Sequence, residues 1–250
     1  MLENIYGHDK RIDAIKDYIS TESKIAEFGC GTGVMVTLPL VMAGYNCVGF
    51  DIDFPSISYG KSCFVANGVS PDVLSNDDFF NDASTYDVII VSEVLEHISQ
   101  PELDKLCAGF FTKLNENGVL MVTVPNGYGW FELEDFIWKK LKLGVVFEKM
   151  RISNVIIKLK RRYGVWGHDE APSSLSSSPH VQRFTLKRIT TLLSRHGFSV
   201  IKRTGSVFFC GPLSNLLFTG FKPIMRFNKK LGELAPALAS GFVVVCRKHG

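Results

Sequence analysis

The sequence lacks the features typical of membrane-spanning, exported and zinc- or disulfide-stabilised proteins. No stretch reaches the roughly 18 uninterrupted apolar residues that a spanning helix needs. The first residues, MLENIYGHDKRIDAIKDYIS, mix charged and apolar side chains and contain no run typical of a signal peptide. The 6 cysteines include no C-x-x-C pair, which disfavours a zinc knuckle or a redox motif. We therefore expect a cytoplasmic protein with reduced thiols that touches a membrane, if at all, only at its surface.

The chain has 250 residues, and its 46% hydrophobic content is enough for one large domain with a full core. Its charge is divided unevenly. Residues 1–125 contain 7 Lys+Arg against 18 Asp+Glu, a balance of −11, and residues 126–250 contain 21 against 7, a balance of +14. The two balances sum to the net charge of +3. The two halves therefore differ electrostatically.

Short apolar runs alternate with longer segments in the first half of the chain. The runs 24–28, 47–50, 86–91 and 119–124 are typical of buried parallel strands. The segments 9–20, 34–43, 55–66 and 101–114 have the length or periodicity of helices. This alternation predicts an α/β fold with a doubly wound sheet, in which ligands bind at the carboxyl ends of the strands.

A glycine-rich loop follows the first predicted strand. Gly29, Gly31 and Gly33 alternate there, so the backbone can turn tightly and approach a ligand in front of the next helix. Asp51 ends the second predicted strand, where its carboxylate can accept both hydroxyls of a ribose. Val34 stands where a dinucleotide fingerprint has its last glycine, which disfavours NAD. The pattern favours a nucleoside-containing cofactor over a turn without a ligand.

Four ordered motifs together resemble the class I S-adenosylmethionine-dependent methyltransferases. They are the E-x-G-x-G-x-G loop, Asp51, the segment Asn76-Asp77-Asp78-Phe79-Phe80 after a short third strand, and Ser92-Glu93-Val94-Leu95-Glu96-His97 after the fourth. The resemblance covers roughly residues 20–125 and 180–250. It implies a Rossmann-like, mostly parallel seven-stranded sheet with an antiparallel last strand, and S-adenosyl-L-methionine as the cofactor.

The resemblance also implies which residues contact the cofactor. The implied contacts are Glu27, Gly29, Cys30, Gly31, Gly33, Asp51, Ile52, Asp77, Asp78, Phe79 and Ser92. Glycines would approach the methionine moiety, Asp51 the ribose, and Ile52 the adenine. Asp78 is preferred over Asp77 for the adenine amine because Phe79, expected against the ring, follows it; a solvated loop is the alternative. The acidic surplus of the first half suits a cationic sulfonium.

Methyl transfer requires an acceptor held in line, exclusion of water and, for a hydroxyl, removal of a proton. Glu93, Glu96 and His97 are spaced i, i+3 and i+4, so a helix beginning just after the fourth strand would place them on one face. Such a face could hold Mg²⁺ or Mn²⁺, which would lower the pKa of a bound hydroxyl. Alternatively, the Glu-His pair only braces the loop.

The E-x-x-E-H segment resembles two metal-using branches of the family. They are the quinone-biosynthesis O-methyltransferases and the RNA-end ribose 2′-O-methyltransferases. The RNA-end branch also uses a histidine in an H-x-x-x-aromatic-[ST] setting, which the segment from His180 to Thr185 matches. His180 is therefore the expected fourth metal ligand or general base.

A long insertion, residues 126–180, is expected to be a lid over the acceptor. It is rich in aromatic residues, and residues 139–162 contain nine basic side chains opposed only by Glu148. Such a segment could grip an anionic or aromatic acceptor, stack on bases or lie on anionic lipid. Ile152–Arg162 has the pattern of a basic amphipathic helix, for which a solvated face is the alternative. Residues 171–179, with five serines, are expected to be a connector or flap.

The remaining chain is expected to complete the sheet. Residues 198–202 and 241–247 predict two more strands, and the apolar segment 207–238 predicts a helical pair that covers the core, the acceptor pocket or a dimer face, or touches a membrane. The predicted function is O-methylation of a small or lipid-like metabolite. RNA ribose methylation and a noncatalytic cofactor-binding scaffold are alternatives. The fifth strand is not followed by N-P-P-[YF], which disfavours amino-directed nucleic-acid methylation, and nitrogen and carbon acceptors remain open.

Overall fold

A computed structural model describes residues 9–162 and 180–249 of the chain. Its centre is one seven-stranded sheet. The strands are β1 (Lys24–Phe28), β2 (Asn46–Phe50), β3 (Leu74–Ser75), β4 (Tyr86–Ser92), β5 (Leu114–Pro125), β6 (Phe198–Gly205) and β7 (Gly241–Lys248). The helices of the described ranges are α1 (Asp9–Ile15), α2 (Thr37–Met42), α3 (Phe54–Ala66), α4 (Gln100–Lys113), α5 (Trp130–Lys140), α6 (Leu143–Lys149), α7 (Ile152–Arg162), α8 (Leu186–Arg195), α9 (Pro212–Phe218) and α10 (Lys222–Leu234).

The strand order in the sheet is β3-β2-β1-β4-β5-β7-β6. Strands β1 to β5 pair in parallel, whereas β7 is antiparallel to both β5 and β6. The order reverses at β1, which pairs with β2 on one side and β4 on the other. A crevice at the carboxyl ends of β1 and β4 is the usual ligand site of such a sheet. The predicted α/β fold with a mostly parallel sheet and an antiparallel last strand is confirmed.

The central strands are apolar because helices cover both faces of the sheet. In β4, all residues except Asp87 are buried, and the second half of β5 is buried from Gly118 to Val124. Apolar burial of this extent is the main driving force that holds these strands in place. A rigid sheet therefore positions the loops at the carboxyl ends of the strands.

Lys10 anchors helix α1 to residues in the C-terminal part of the chain, at the end of β6 and in α10. The Lys10 Nζ donates to the carbonyl oxygens of Gly205 and Ser206, at 2.7 and 2.6 Å, and lies 3.2 Å from the Glu233 carboxylate. The helix is shorter than the predicted range 9–20, because a single 3-10 turn, Lys16–Tyr18, follows it. Lys10 fixes the helix register and so determines where the next residue, Arg11, points.

The insertion after β5 folds as three helices in its described part, α5, α6 and α7. Trp130 packs against Phe209 with ring centroids 5.1 Å apart, and Trp138 packs edge-on against Phe147 at 5.3 Å. The predicted helix over Ile152–Arg162 is present with those bounds. The serine-rich segment 171–179 lies outside the described residues. Within the described ranges, no helix combines the length and apolar content needed to cross a bilayer.

Candidate active site

The loop after β1 has a backbone that favours glycine at three positions. Gly29, Gly31 and Gly33 have φ angles of 69°, 55° and 68°, in the left-handed region. A Cβ built on Gly29 would lie 2.5 Å from a methyl carbon of Val94, so the loop packs against the segment after β4. A Cβ on Gly31 would meet no atom within 4 Å, so the space in front of this residue is open. The loop can therefore bring its backbone close to a ligand.

Asp51 lies beside this loop at the end of β2. Its Oδ2 accepts the Gly31 N–H at 2.6 Å, and its Oδ1 accepts the Asp53 N–H at 2.8 Å. A carboxylate has about four acceptor positions, so positions remain for the hydroxyls of a ribose. Ile52 is 85% exposed and offers an apolar surface next to that carboxylate. This geometry fits an adenosyl group.

Glu27 is buried at the end of β1, and Cys30 in the glycine loop is half-buried. The buried Glu27 carboxylate accepts the Thr37 N–H at 3.0 Å and the Thr37 hydroxyl at 2.5 Å. Burial raises the pKa of Glu27 to about 7, against the opposing effect of the Thr37 hydrogen bonds. Burial likewise raises the pKa of the half-buried Cys30 thiol well above its usual value. Glu27 thus fastens α2 to β1, and direct contact of either residue with the cofactor remains a prediction.

The segment after β3 carries three predicted adenine contacts, Asp77, Asp78 and Phe79. Phe79 is 2% exposed and packs edge-on against Phe28 and Phe50, with centroids 5.5 and 5.3 Å away. The Phe79 ring therefore belongs to the aromatic core, and its packing against the adenine ring stays a prediction. Asp77 and Asp78 are exposed, so their proposed contact with the adenine amine stays a prediction.

Asn76 was missed as a site residue. Its Nδ2 donates to the backbone oxygen of Asp51 at 2.8 Å and so helps to hold the end of β2 in place. Asp77 and Asp78 accept from their own segment, from the Ser75 hydroxyl at 2.8 Å and the Phe80 N–H at 3.0 Å. A polar residue directly after a strand was the available signal for Asn76.

The helix predicted to begin just after β4 is absent. Glu93 has a left-handed φ of 55°, and one 3-10 turn, Leu95–His97, follows. The Glu93 carboxylate accepts from the Thr123 hydroxyl at 2.8 Å and lies 3.8 Å from Arg11. The expectation that Glu93 shares one helical face with Glu96 and His97 is therefore wrong. The predicted cofactor contact Ser92 is buried, and its hydroxyl lies 2.9 Å from that of Thr123.

Glu96, His97 and His180 do come together. One potential ligand atom from each lies within 4.8 Å of the others, and the two imidazole rings meet edge-on at 5.0 Å. The backbone oxygen of Glu96 accepts the N–H groups of Val181 and Gln182, at 2.9 and 3.0 Å, which carries His180 onto the turn after β4. Three of the four predicted metal ligands therefore form one cluster.

Glu96 is the buried member of this cluster. Its residue is 1% exposed, and its Oε2 has no hydrogen-bond partner among residues 9–162 and 180–249. Burial, with the charge of Glu93 as a second cause, raises the pKa of Glu96 well above its usual value. A buried carboxyl of this kind is stabilised by a proton or by a cation.

Arg11 is a second residue that the sequence did not reveal. It lies among three carboxyl groups, and its positive charge opposes the rise in the pKa of both Glu27 and Glu96. Its contact with Glu93 joins residues far apart in the sequence. The only signal in the sequence was that Arg11 is one of the few basic residues in the acidic first half of the chain.

Two cavities flank α5. The first, about 380 Å³, is polar and is lined by Gly127, Asp135, Lys139, His180 and Arg183, among others. The second, about 260 Å³, is apolar and lies against the opposite face of α5, between that helix and α9. Because His180 lines the polar cavity, this space adjoins the Glu96–His97–His180 cluster.

Comparisons with known proteins identify the type of domain. A family model described as a methyltransferase domain matches residues 5–203. The ubiquinone biosynthesis O-methyltransferase of Escherichia coli is 27% identical over 107 residues, which is 38% of this chain and 44% of that protein. The protein of the same name from Shigella boydii matches to the same extent. The matched region thus spans less than half the length of these curated relatives.

Solved structures show the same fold. Magnesium protoporphyrin IX methyltransferase from Synechocystis, with bound SAH, has a TM-score of 0.56 at 13% identity, covering 97% of this chain and 84% of that one. An S-adenosylmethionine-dependent methyltransferase from Clostridium acetobutylicum has a TM-score of 0.57 at 12% identity, covering 100% and 93%. At such identities the likeness concerns the fold alone.

Proposed function

The chain belongs to the class I S-adenosylmethionine-dependent methyltransferases, and from that premise we propose that it methylates an oxygen of a small or lipid-like metabolite. When bound, S-adenosyl-L-methionine supplies the methyl group from its sulfonium. The observation that carries the proposal is the cluster of Glu96, His97 and His180 beside a polar cavity of about 380 Å³. An oxygen acceptor needs a group that removes its proton, and this cluster offers one.

The cofactor-binding residues follow from the glycine loop and the end of β2. The open backbone at Gly31 would lie against the methionine moiety, and the free acceptor positions of Asp51 would take the ribose hydroxyls. The exposed side chain of Ile52 would pack on the adenine. Because Asp51 already fastens the glycine loop, little of the site has to be ordered on binding, which favours affinity.

His180 is the proposed general base. It is exposed and lines the polar cavity, whereas Glu96 is buried behind it. A neutral imidazole has a ring nitrogen that can accept a hydroxyl proton and later release it to solvent. His97, edge-on to His180, would orient that ring rather than touch the acceptor.

The cluster of Glu96, His97 and His180 also fits a divalent cation. Glu96, His97 and His180 each place one potential ligand atom within 4.8 Å of the others, and the buried Glu96 carboxyl has one oxygen without a hydrogen-bond partner in the described part of the chain. With Glu93 outside the cluster, the donor set is one carboxylate and two imidazoles. Of the two ions expected from the sequence, Mg²⁺ and Mn²⁺, this set suits Mn²⁺ better, and it also suits Zn²⁺. A cation bound there would lower the pKa of a coordinated acceptor hydroxyl. Glu96, His97 and His180 would hold it, and His180 would then be a ligand instead of the general base.

The partial similarity to ubiquinone biosynthesis O-methyltransferases supports an oxygen acceptor of small or lipid-like type. It covers 38% of this chain, so it supports the reaction class more than the acceptor. The test is incubation of the purified chain with methyl-labelled cofactor and a fractionated cell extract. We expect label in the small-metabolite or lipid fraction, as a base-stable ether that survives alkaline hydrolysis.

His180→Ala should abolish this labelling, whereas His196→Ala is the matched control. His196 is a surface residue that pairs with Asp104 at 2.9 Å, away from the cluster. Label recovered only in RNA would favour the ribose 2′-O-methyltransferase alternative, and label only in protein would refute both. Unchanged labelling by His180→Ala would remove His180 from the reaction.

A further inference from the structure

The insertion presents an exposed surface that combines aliphatic and basic side chains. We propose that helices α5, α6 and α7 dock on an anionic lipid bilayer. The surface does not depend on which atom of the acceptor is methylated. It is therefore a separate property of the chain from the proposed reaction.

Exposed aliphatic side chains recur throughout the insertion. Single exposed apolar residues are common, but contiguous apolar surface on a protein that is alone in solution usually marks a binding face. In this insertion, exposed apolar side chains occur in all three helices and in the turns that join them. The exposed aliphatic side chains are Leu133, Ile137, Leu141, Val145, Val146, Met150, Val155 and Leu159, of which Leu133 and Ile137 also line the apolar cavity between α5 and α9.

The basic component is interleaved with the aliphatic one. Between residues 139 and 162 the charged residues are nine Lys or Arg and one acid, Glu148. Lys160 is buried near the Phe221 ring, and Lys139 pairs with Asp135 at 2.7 Å, but the other basic residues of this stretch are exposed. In α7, exposed Val155 and Leu159 alternate with exposed Lys158 and Arg162. Such a helix can lie in the headgroup region of an anionic membrane, with its aliphatic side chains in the acyl boundary.

The chemistry of the exposed side chains favours lipid over RNA. Single-stranded nucleic acid is gripped by flat aromatic rings on which the bases stack. Here Trp138 and Phe147 pack on each other, and Trp130 packs on Phe209. Among the described residues of the insertion, Tyr128 and Phe136 are the exposed aromatic ones. Aliphatic side chains cannot stack on bases, but they partition into an acyl layer.

The test is flotation of the full-length chain with vesicles of two compositions. One contains only phosphatidylcholine, and the other contains phosphatidylcholine with phosphatidylglycerol. We expect flotation with the anionic vesicles, weakened by added salt, and little with the zwitterionic ones. Absence of flotation with the anionic vesicles, or equal flotation with both, would overturn the proposal, and neither result depends on a variant.

Variants then locate the surface. Lys149→Ala, Lys158→Ala and Arg162→Ala should each lower the partition coefficient by about fivefold. Combined Met150→Ser, Val155→Ser and Leu159→Ser should lower the binding that survives high salt. The matched control combines Lys105→Ala, Lys187→Ala and Arg195→Ala, which removes three exposed basic residues of α4 and α8.

If the control lowered the partition coefficient as much as the three basic changes in the insertion, the binding would be nonspecific charge attraction. That result would overturn the assignment to this surface. A gel shift with single-stranded RNA that the same lysine variants abolish, without vesicle binding, would replace the lipid by RNA. Binding of S-adenosylhomocysteine by calorimetry confirms that each variant is folded. Vesicle flotation does not measure methyl transfer. A failure of the lipid proposal can therefore be distinguished from a failure of the proposed function.

Discussion

The Asp51 carboxylate accepts the backbone N–H of Gly31 at 2.6 Å, so the end of β2 is joined directly to the loop after β1. Two segments that both face the crevice are thereby held in one arrangement before any ligand enters. The same carboxylate keeps free acceptor positions, so it can position the loop and bind a ribose together. Replacing it should therefore affect cofactor affinity more than an ordinary surface carboxylate would.

Asp51→Asn should weaken the binding of S-adenosylhomocysteine by about ten- to a hundredfold, since hydrogen bonds to a charged group contribute about 1.5–3 kcal/mol. Isothermal titration calorimetry measures this change directly. Asp72→Asn, which alters an exposed aspartate just before β3, is the control and should leave the affinity unchanged. Equal affinity of wild type and Asp51→Asn would remove Asp51 from the cofactor site.

Gly29→Ala should both destabilise the fold and impair cofactor binding. The added Cβ would lie 2.5 Å from Val94 at a φ of 69°. Gly68→Ala is a matched control, because Gly68 has a φ of 71° but no atom within 4 Å of its Cβ position. Both variants should lose about 1 kcal/mol of unfolding free energy to backbone strain, and Gly29→Ala should lose more.

The steric part of this prediction has its own check. Combining Gly29→Ala with Val94→Ala removes the side chain that the new Cβ would meet. Urea unfolding should show a smaller loss for the pair than the sum of the two single changes. Additive losses would mean that Val94 does not limit the loop.

Metal binding should depend on Glu96 and His180 and not on Glu93. After chelator treatment, calorimetric titration with Mn²⁺ and Zn²⁺ should show saturable binding to the wild-type chain. Glu96→Gln and His180→Ala should each abolish it, because each removes one of three ligands. Glu93→Gln should retain it, since that carboxylate is directed at Thr123 and Arg11. Absence of saturable binding in the wild type would leave the cluster as a brace for the loop.

Glu27 should make stability fall as the pH rises from about 4.5 to about 7. Burial raises its pKa in the folded chain from 4.5 to about 7, so the folded state holds a proton that the unfolded state releases in that range. The stability that the protonated group contributes is complete below pH 4.5 and is lost by about pH 7, which amounts to roughly 3 kcal/mol at most.

Glu27→Gln should remove this dependence and keep an acceptor for Thr37. Urea unfolding at pH 5 and pH 8 should therefore show a smaller difference in unfolding free energy for Glu27→Gln than for wild type. Glu132→Gln, a change near the surface of α5, is the control and should preserve the wild-type difference. A variant with the full wild-type pH dependence would contradict the role of Glu27.

Much of the fold was predictable because it rests on local patterns. The runs that became β1, β4 and α7 needed only their own apolar spacing, and the glycine loop needed only its three glycines. What could not be predicted depends on single dihedral angles or distant contacts. One left-handed φ at Glu93 replaced the expected helix by a 3-10 turn.

The site shows the same division. Phe79 follows an acidic residue in sequence, but its ring turns into an aromatic core assembled from β1, β2 and α4, which local order does not reveal. Arg11 reaches Glu93 from helix α1, which Lys10 anchors to the end of β6. His180 was predicted from a motif shared with relatives, and hydrogen bonds to the backbone of Glu96 bring it into place.

Strand β7 lies between β5 and β6 in the sheet, but it follows both of them in the sequence and is therefore synthesised last. Until β7 emerges, Val119–Pro125 has no partner on that side, and β6 has none in the sheet. A nascent chain therefore carries an open apolar strand edge in its middle, the kind of edge that recruits other chains. Such an intermediate would be prone to aggregation, and a C-terminal truncation would remove the strand that joins the two parts of the sheet.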